Sequence, residues 1–184
     1  MMAEVSLVTN CDCRVSSVLG KNTRELGKQY LFDGSPETCW NSDQGTPQWV
    51  ALRWKEPVIV TSIIAQFQGG FCGSPDTVVE VGQEGSNCWE EVAPWHLEDV
   101  GTEQIIRLQQ PRALSSLRLT FKSSTDFHGR IIMYKLDVLG KICKLPNQPL
   151  MIRVFSSSLD EERRDGNKCH ISLRSEKDNW AGNV

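Results

Sequence analysis

The sequence predicts an all-β antiparallel sandwich or barrel. Three observations predict it. Short runs alternate apolar and polar residues, turn residues separate those runs at close intervals, and no long segment keeps a 3.6-residue apolar period. Half-buried strands of this kind each need a second layer to cover their apolar face, which is why they collect into sandwiches and barrels.

The elements follow in chain order. In Val50–Trp54, residues Val50, Leu52 and Trp54 share one face. Ile63, Ala65 and Phe67 repeat the pattern, with Gln66 and Gln68 pointing the other way. Thr77–Val81 is rich in β-branched residues, which suit a pleated surface. Leu117, Leu119 and Phe121 alternate with Arg118, Thr120 and Lys122. Ile132, Tyr134, Leu136 and Val138 form one side of a last strong strand, which Gly140 closes. Asp33-Gly34, Ser35-Pro36, Gly45 to Pro47, Gly69-Gly70, Gly73 to Pro75 and His128-Gly129 supply the turns between them.

After Lys141 the composition changes. "KLPNQP" reads as a linker and "LMIRVF" as one short strand or an exposed apolar patch. The remainder is polar and charge-mixed, with little to bury. The expected organisation is a β-domain over residues 5–140 and a linker and flexible tail over residues 141–184. A partner-binding tail is the alternative on the same composition.

A chain of 184 residues with 39% hydrophobic and 23% charged content suits one soluble domain plus some extra length. The net charge is −3, and residues 1–140 hold 12 Lys and Arg against 17 Asp and Glu. An acidic body disfavours general binding of phosphate backbones, so no direct nucleic-acid contact is expected. No apolar run reaches the ~20 residues of a membrane helix, so no membrane span is expected. The N-terminus lacks a basic start followed by an apolar core, and a signal peptide is not expected. The seven cysteines are odd in number and irregularly spaced, which reads as reduced thiols. Cys11, Cys13, Cys169 and His170 match no zinc spacing, and neither metal nor other cofactor is expected. His96 stands near Glu98 and Asp99 without a nucleophile in an activating context, so an enzyme is not expected.

The most informative stretch is Leu31–Trp54. Asp33-Gly34 is a tight turn in which Asp33 accepts backbone N–H bonds, and Thr38 can do likewise. Trp40 offers a large apolar face with one donor. Asp33, Thr38, Trp40 and Trp49 are therefore expected to form a structural clasp across the open end of the sandwich. Asn41, Ser42, Asp43 and Gln44 gather hydroxyl, amide and carboxylate groups in one loop. That chemistry suits a contact loop, and it also describes an ordinary solvated turn.

"FDGSPETCWNSDQGTPQWVALRW", "LSSLRLTF" and "GRIIMYKLDVLG" together resemble the discoidin, or coagulation-factor C-type, domain. The resemblance implies a galactose-binding-like jelly roll of about eight strands. Within that superfamily, "RVSSVLGKNTRELGKQYLFDGSPETCWNSDQGTPQWV", "FQGGF" and "TDFHGRIIMYKLDVLG" resemble the small nuclear receptor-associated proteins that bind the testicular orphan receptor type. This implies a nuclear location, with the cytoplasm second, a nuclear receptor as partner, and repression of its transcriptional activity by blocking dimerisation or DNA binding. The tail beyond Gly140 is not covered by the resemblance. Many sugar-binding members of the superfamily hold a structural calcium near the DG turn, a motif that Asp33 and Thr38 match, but the closing-strand Glu that often completes the site aligns with Lys135, whose charge opposes a cation.

The implied contact rim comprises Asn41, Ser42, Asp43, Gln44, Gln68, Phe71, Asp126, Phe127, His128 and Arg130. Phe71 is expected either as an exposed anchor or as a cap folded onto the barrel, and Phe127 and Arg130 carry the same alternatives. Arg118 is expected on a solvated sheet face. A glycan- or lipid-binding module is the rival function. An aromatic ring lying exposed beside Asn41, Asp43, His128 and Arg130 would favour it.

Overall fold

In the computed structural model, which describes residues 4–82 and 88–143, the strands are β1 (Val5–Ser6), β2 (Cys11–Val15), β3 (Trp40–Asn41), β4 (Gln48–Phe67), β5 (Thr77–Gly82), β6 (Trp89–Trp95), β7 (Gln104–Arg107), β8 (Ala113–Phe121) and β9 (Ile132–Ile142). Every pairing among them is antiparallel. The order is β1-β9-β4-β8-β5-β6, with β2 and β7 also on β4 and β3 on β9.

Strand β4 organises the fold. Its first half, around Gln48–Arg53, pairs with β2 and β8. Its second half, Val58–Phe67, pairs with β9 and, over Ser62–Ala65, with β7. The register shifts between Arg53 and Val58, where the chain reads Trp54-Lys55-Glu56-Pro57. A shift of this kind bends a strand and lets it pass from one layer to the other. The two short strands expected at Val50–Trp54 and near Ile63–Phe67 are thus one bent strand.

The alternation seen in the sequence does set the core. Val50, Leu52 and Trp54 from one layer meet Ile63, Ala65 and Phe67 from the other, together with Val79, Leu117, Leu119, Phe121, Leu136 and Val138. Tyr134 departs from its expected face: it is half-buried, whereas Met133 is fully buried. The cause is a further register shift, between Gln66 and Phe67, which pairs Phe67 with Met133.

Strand β9 continues to Ile142, past the expected boundary at Gly140, and the Cys143 N–H donates to the Pro57 carbonyl at 3.0 Å. The expected tail from Lys144 onward lies outside the described residues. Between β2 and β3 sit 3-10 turns and the one-turn helix α1 (Thr23–Leu26), where the Asn22 side chain accepts from the Glu25 N–H at 3.3 Å.

Candidate functional rim

Five loops meet at one end of the sandwich. They follow β2, β3, β4 and β8, and link β6 to β7. Gly45 N–H donates to His128 O at 2.8 Å, Ser42 N–H to Ile131 O at 2.9 Å, Ile132 N–H to Phe71 O at 3.1 Å, and Thr125 N–H to Cys72 O at 3.0 Å. The Asp99 carboxylate receives Gly70 N–H at 2.8 Å, which attaches the β6–β7 link. The sequence distance between these loops is large, so only the sandwich brings them together.

Of the residues expected in the clasp, Asp33 and Thr38 share one turn, Trp40 is interior and Trp49 is only half-buried. Thr38 Oγ1 donates to Asp33 Oδ2 at 2.6 Å, and Ser35 N–H to Asp33 Oδ1 at 2.9 Å. Trp40 is fully buried, and its indole N–H donates to Ser17 O at 2.9 Å. Trp49 is different: it is half-buried, opposite Thr120 on the outer side of the sheet. Only its backbone is clasped, through Ser16 O–γ at 3.1 Å and Ser16 N at 2.9 Å. A pleated strand sends residues five apart to opposite faces, so Trp49 points out where Trp54 points in.

Two expected contact residues are interior. Asn41 is buried in β3, and its Oδ1 is a buried oxygen with no hydrogen-bond partner among the described residues. Ser42 is fully buried, and its hydroxyl accepts the Ile131 N–H at 2.8 Å. Both are too enclosed to contact a partner. The exposed part of that loop is Asp43–Pro47.

Gln48 is the interior residue that the sequence reading missed. It is buried, its Oε1 accepts from the Ser16 and Ser17 hydroxyls, and its Nε2 donates to Gly45 O at 2.7 Å and Asp43 O at 3.2 Å. A buried amide must satisfy all its polar atoms, and this one does so by tying two loops together. The signal available was a polar residue at an inward position of the Gln48–Val50–Leu52 alternation.

The β8–β9 loop carries the rim's main feature. Asp126 accepts from His128 N–H at 3.1 Å, Arg130 N–H at 3.1 Å, Arg130 Nε at 2.9 Å and Arg130 Nη2 at 3.1 Å. The Arg130 side-chain bonds, its charge and the backbone donors pull the Asp126 carboxyl down to about 2 against some opposing burial. Ser124 Oγ accepts Asp126 N–H at 3.0 Å and donates to Arg130 O at 2.6 Å. The Arg130 guanidinium lies over the Phe71 ring, 5.0 Å from its centroid. Phe71 is thereby a half-buried support and not the exposed anchor.

Phe127 takes the exposed position. It is 95% exposed at the loop apex, and its ring meets His128 edge-on at 5.2 Å. His128 is exposed as well. Gly129 (φ 78°) packs against Gly45, so that a Cβ there would stand 3.0 Å from the Gly45 backbone. Gln68 sits lower, half-buried, accepting from Tyr134 OH at 3.1 Å.

The residues do not fit a calcium site. Both Asp33 oxygens are engaged within the turn, Lys135 pairs with Glu103 at 2.6 Å, and no three metal-ligating side chains gather among the described residues. Cys11, Cys13, Cys39, Cys72 and Cys143 are unbridged thiols. Burial pushes Cys11 up to about 11, and Cys13 and Cys72 up to about 12, which leaves almost no thiolate at neutral pH. No helix among the described residues is long and apolar enough to cross a membrane.

Residues 30–119 match the family model of the NedA-like, galactose-binding domain. The chain is 45% identical over 127 residues to the nuclear receptor 2C2-associated protein of Xenopus laevis, covering 69% of this chain and 91% of that protein. It is 40% identical over 143 residues to the Danio rerio protein of the same name, covering 76% and 98%. The Homo sapiens protein of that name is 41% identical over 128 residues, covering 70% and 90%. Among solved structures, the family 32 CBM from C. perfringens NanJ, in complex with galactose, superposes with a TM-score of 0.62 at 16% identity, covering 74% of this chain and 99% of that one. Chitosan-binding module 1 from Paenibacillus sp. IK-5 gives 0.61 at 19%, with 74% and 99% covered. At these identities the two structures show the jelly-roll fold alone.

Proposed function

The chain belongs to the nuclear receptor 2C2-associated protein family, and from that premise we propose that it is a non-enzymatic interaction module that associates with a nuclear receptor and represses its transcriptional activity. The receptor is of the testicular orphan type, met in the nucleus or in the cytoplasm before entry. Repression works by occlusion: the module covers a surface the receptor needs for dimerisation or for DNA.

The observation that supports a rim contact is Phe127. A fully exposed aromatic is expensive to leave in water, and here it stands on a loop held by Ser124 and Asp126. A rigid aromatic anchor loses little entropy on binding, which is why such residues dominate interface energies. The proposed contact set is Phe127 and His128 at the apex, with Asp43 and Gln44 beside them across the Gly45–His128 bond. Asp126, Arg130, Phe71 and Gln68 support the apex from beneath.

The test is binding of the purified full chain to nuclear receptor 2C2 by biolayer interferometry, with Phe127→Ala and His128→Ala beside it. A hot-spot aromatic predicts about thirtyfold weaker binding for Phe127→Ala. Equal binding by that variant would move the contact off the rim, and no binding by the wild type would remove the receptor association. A reporter gene driven by the receptor then tests repression, which the same variant should lose.

A glycan-binding reading has one observation of its own, the exposed Phe127 ring beside His128 near Asp43. Against it, the Arg130 fork is already filled by Asp126, leaving it poorly placed to receive sugar hydroxyls. Calorimetric titration with galactose separates the two, since heat on injection supports the glycan reading.

A further inference from the structure

The open side of the sandwich, away from β2 and β1, is formed by the outer strands of both layers. Strand β6 ends the path through β5, and β7 lies on β4. Between them runs a groove of about 570 Å³, lined by Val81, Ala93, Ile106, Leu108 and Leu114 and edged by Glu90 and Arg107.

The two strand edges differ. β6 carries Pro94, the adjacent carboxylates Glu90 and Glu91, and a register shift, all features that block pairing with another strand. β7, reading Gln104-Ile105-Ile106-Arg107, has none of these. Its free backbone groups can be assigned. Leu108 N–H donates to Thr61 O at 2.9 Å, which makes Leu108 and Thr61 a hydrogen-bonded pair. Antiparallel ladders alternate, so Ile106 with Ile63 and Gln104 with Ala65 are bonded pairs too. The N–H and C=O groups of Ile105 and Arg107 therefore point away from β4, to an edge that pairs with no other strand among the described residues.

Charge narrows the occupant. Glu90 is paired with Arg112 at 2.7 Å and Glu91 with Lys122 at 3.1 Å, whereas Arg107 has no ion pair among the described residues. Ile105 beside it is 55% exposed.

We propose that β7 is a docking edge for an extended segment of a partner protein, added as an antiparallel strand with an acidic residue opposite Arg107, a β-branched residue opposite Ile105 and aliphatic side chains facing the groove. Main-chain bonds to Ile105 and Arg107 hold the segment, and the alternate side chains select it. This surface is separate from the Phe127 apex and does not rest on the receptor reading.

The test titrates the full-length protein with the N-acetylated, C-amidated peptide Ser-Val-Glu-Val-Thr-Val-Ser, followed by amide correlation spectra. Saturable shifts are expected at Ile105 and Arg107 and along β6. Arg107→Glu should weaken binding about tenfold and transfer preference to the peptide carrying Lys in place of Glu. N-methylation of the peptide's Glu and Thr should abolish binding, because those two N–H groups face β7. Phe127→Ala should leave the titration unchanged, which keeps this result distinct from the rim's. No saturable shift at millimolar peptide, shifts confined to the rim, or indifference to either the charge exchange or N-methylation would each overturn the proposal.

Discussion

Asp126 accepts four hydrogen bonds from its own loop, and each favours the ionised carboxylate. Its folded carboxyl lies at about 2, below the ordinary 3.8. A depressed carboxyl contributes stability that is fully present above its unfolded value and is lost as pH falls through the folded one. Wild type and Asp126→Asn should therefore differ in melting temperature at neutral pH, with wild type higher. The gap should close between about pH 4 and pH 2, which thermal scans across that range check directly. Trp40 acts through packing: it is fully buried beside Phe121, with ring centroids 6.4 Å apart. Trp40→Ala should lose ~3–5 kcal/mol in urea unfolding, and a loss under about 1 kcal/mol would refute its role as the clasp. The thiols of Cys13 and Cys72 should resist iodoacetamide at neutral pH in the folded protein and react once it is denatured, as mass spectrometry would show.

At the level of elements, β4 and β9 pack backbone against backbone at Gly140. A Cβ on Gly140 would lie 2.0 Å from the Ile59 carbonyl oxygen. That oxygen is backbone, held by β4, and cannot swing aside as a side-chain tip would. Gly140→Ala should lose about 3 kcal/mol or more, or fail to fold, and urea unfolding of the variant measures which. The glycine that the sequence suggested as a strand terminator is thus a packing requirement within a strand that continues to Ile142. The short polar strand β2 and the charged β6 were not legible because neither shows a clean apolar alternation. Each is completed by its neighbour, β2 by β4 and β6 by β5.

Across the whole molecule, the first strand closes on the last, with Val5 opposite Gly140. Nearly every pairing joins distant parts of the chain, and one core cluster unites both layers. Such a body should unfold in one cooperative step, with far-ultraviolet and near-ultraviolet dichroism tracing the same urea curve. Non-local pairing of this extent also places folding in the millisecond-to-second range, a prediction for stopped-flow refolding.

The sequence by itself determined the all-β class, most of the inward-facing residues and the Asp33–Thr38 turn. Those depend on local period and local turn chemistry, which adjacent residues express on their own. Only the tertiary structure decided which rim residues reach solvent. Asn41, Ser42, Asp43 and Gln44 look alike as a polar run, but β3 pairing with β9 buries the first and Ile131 takes up the hydroxyl of the second. Phe71 and Phe127 are both aromatic residues in loops, and Arg130 covers one while the other stands 95% exposed, uncovered by any of the described residues. Exposure is a property of what lies opposite, and for this chain the opposite group is almost always far away in sequence.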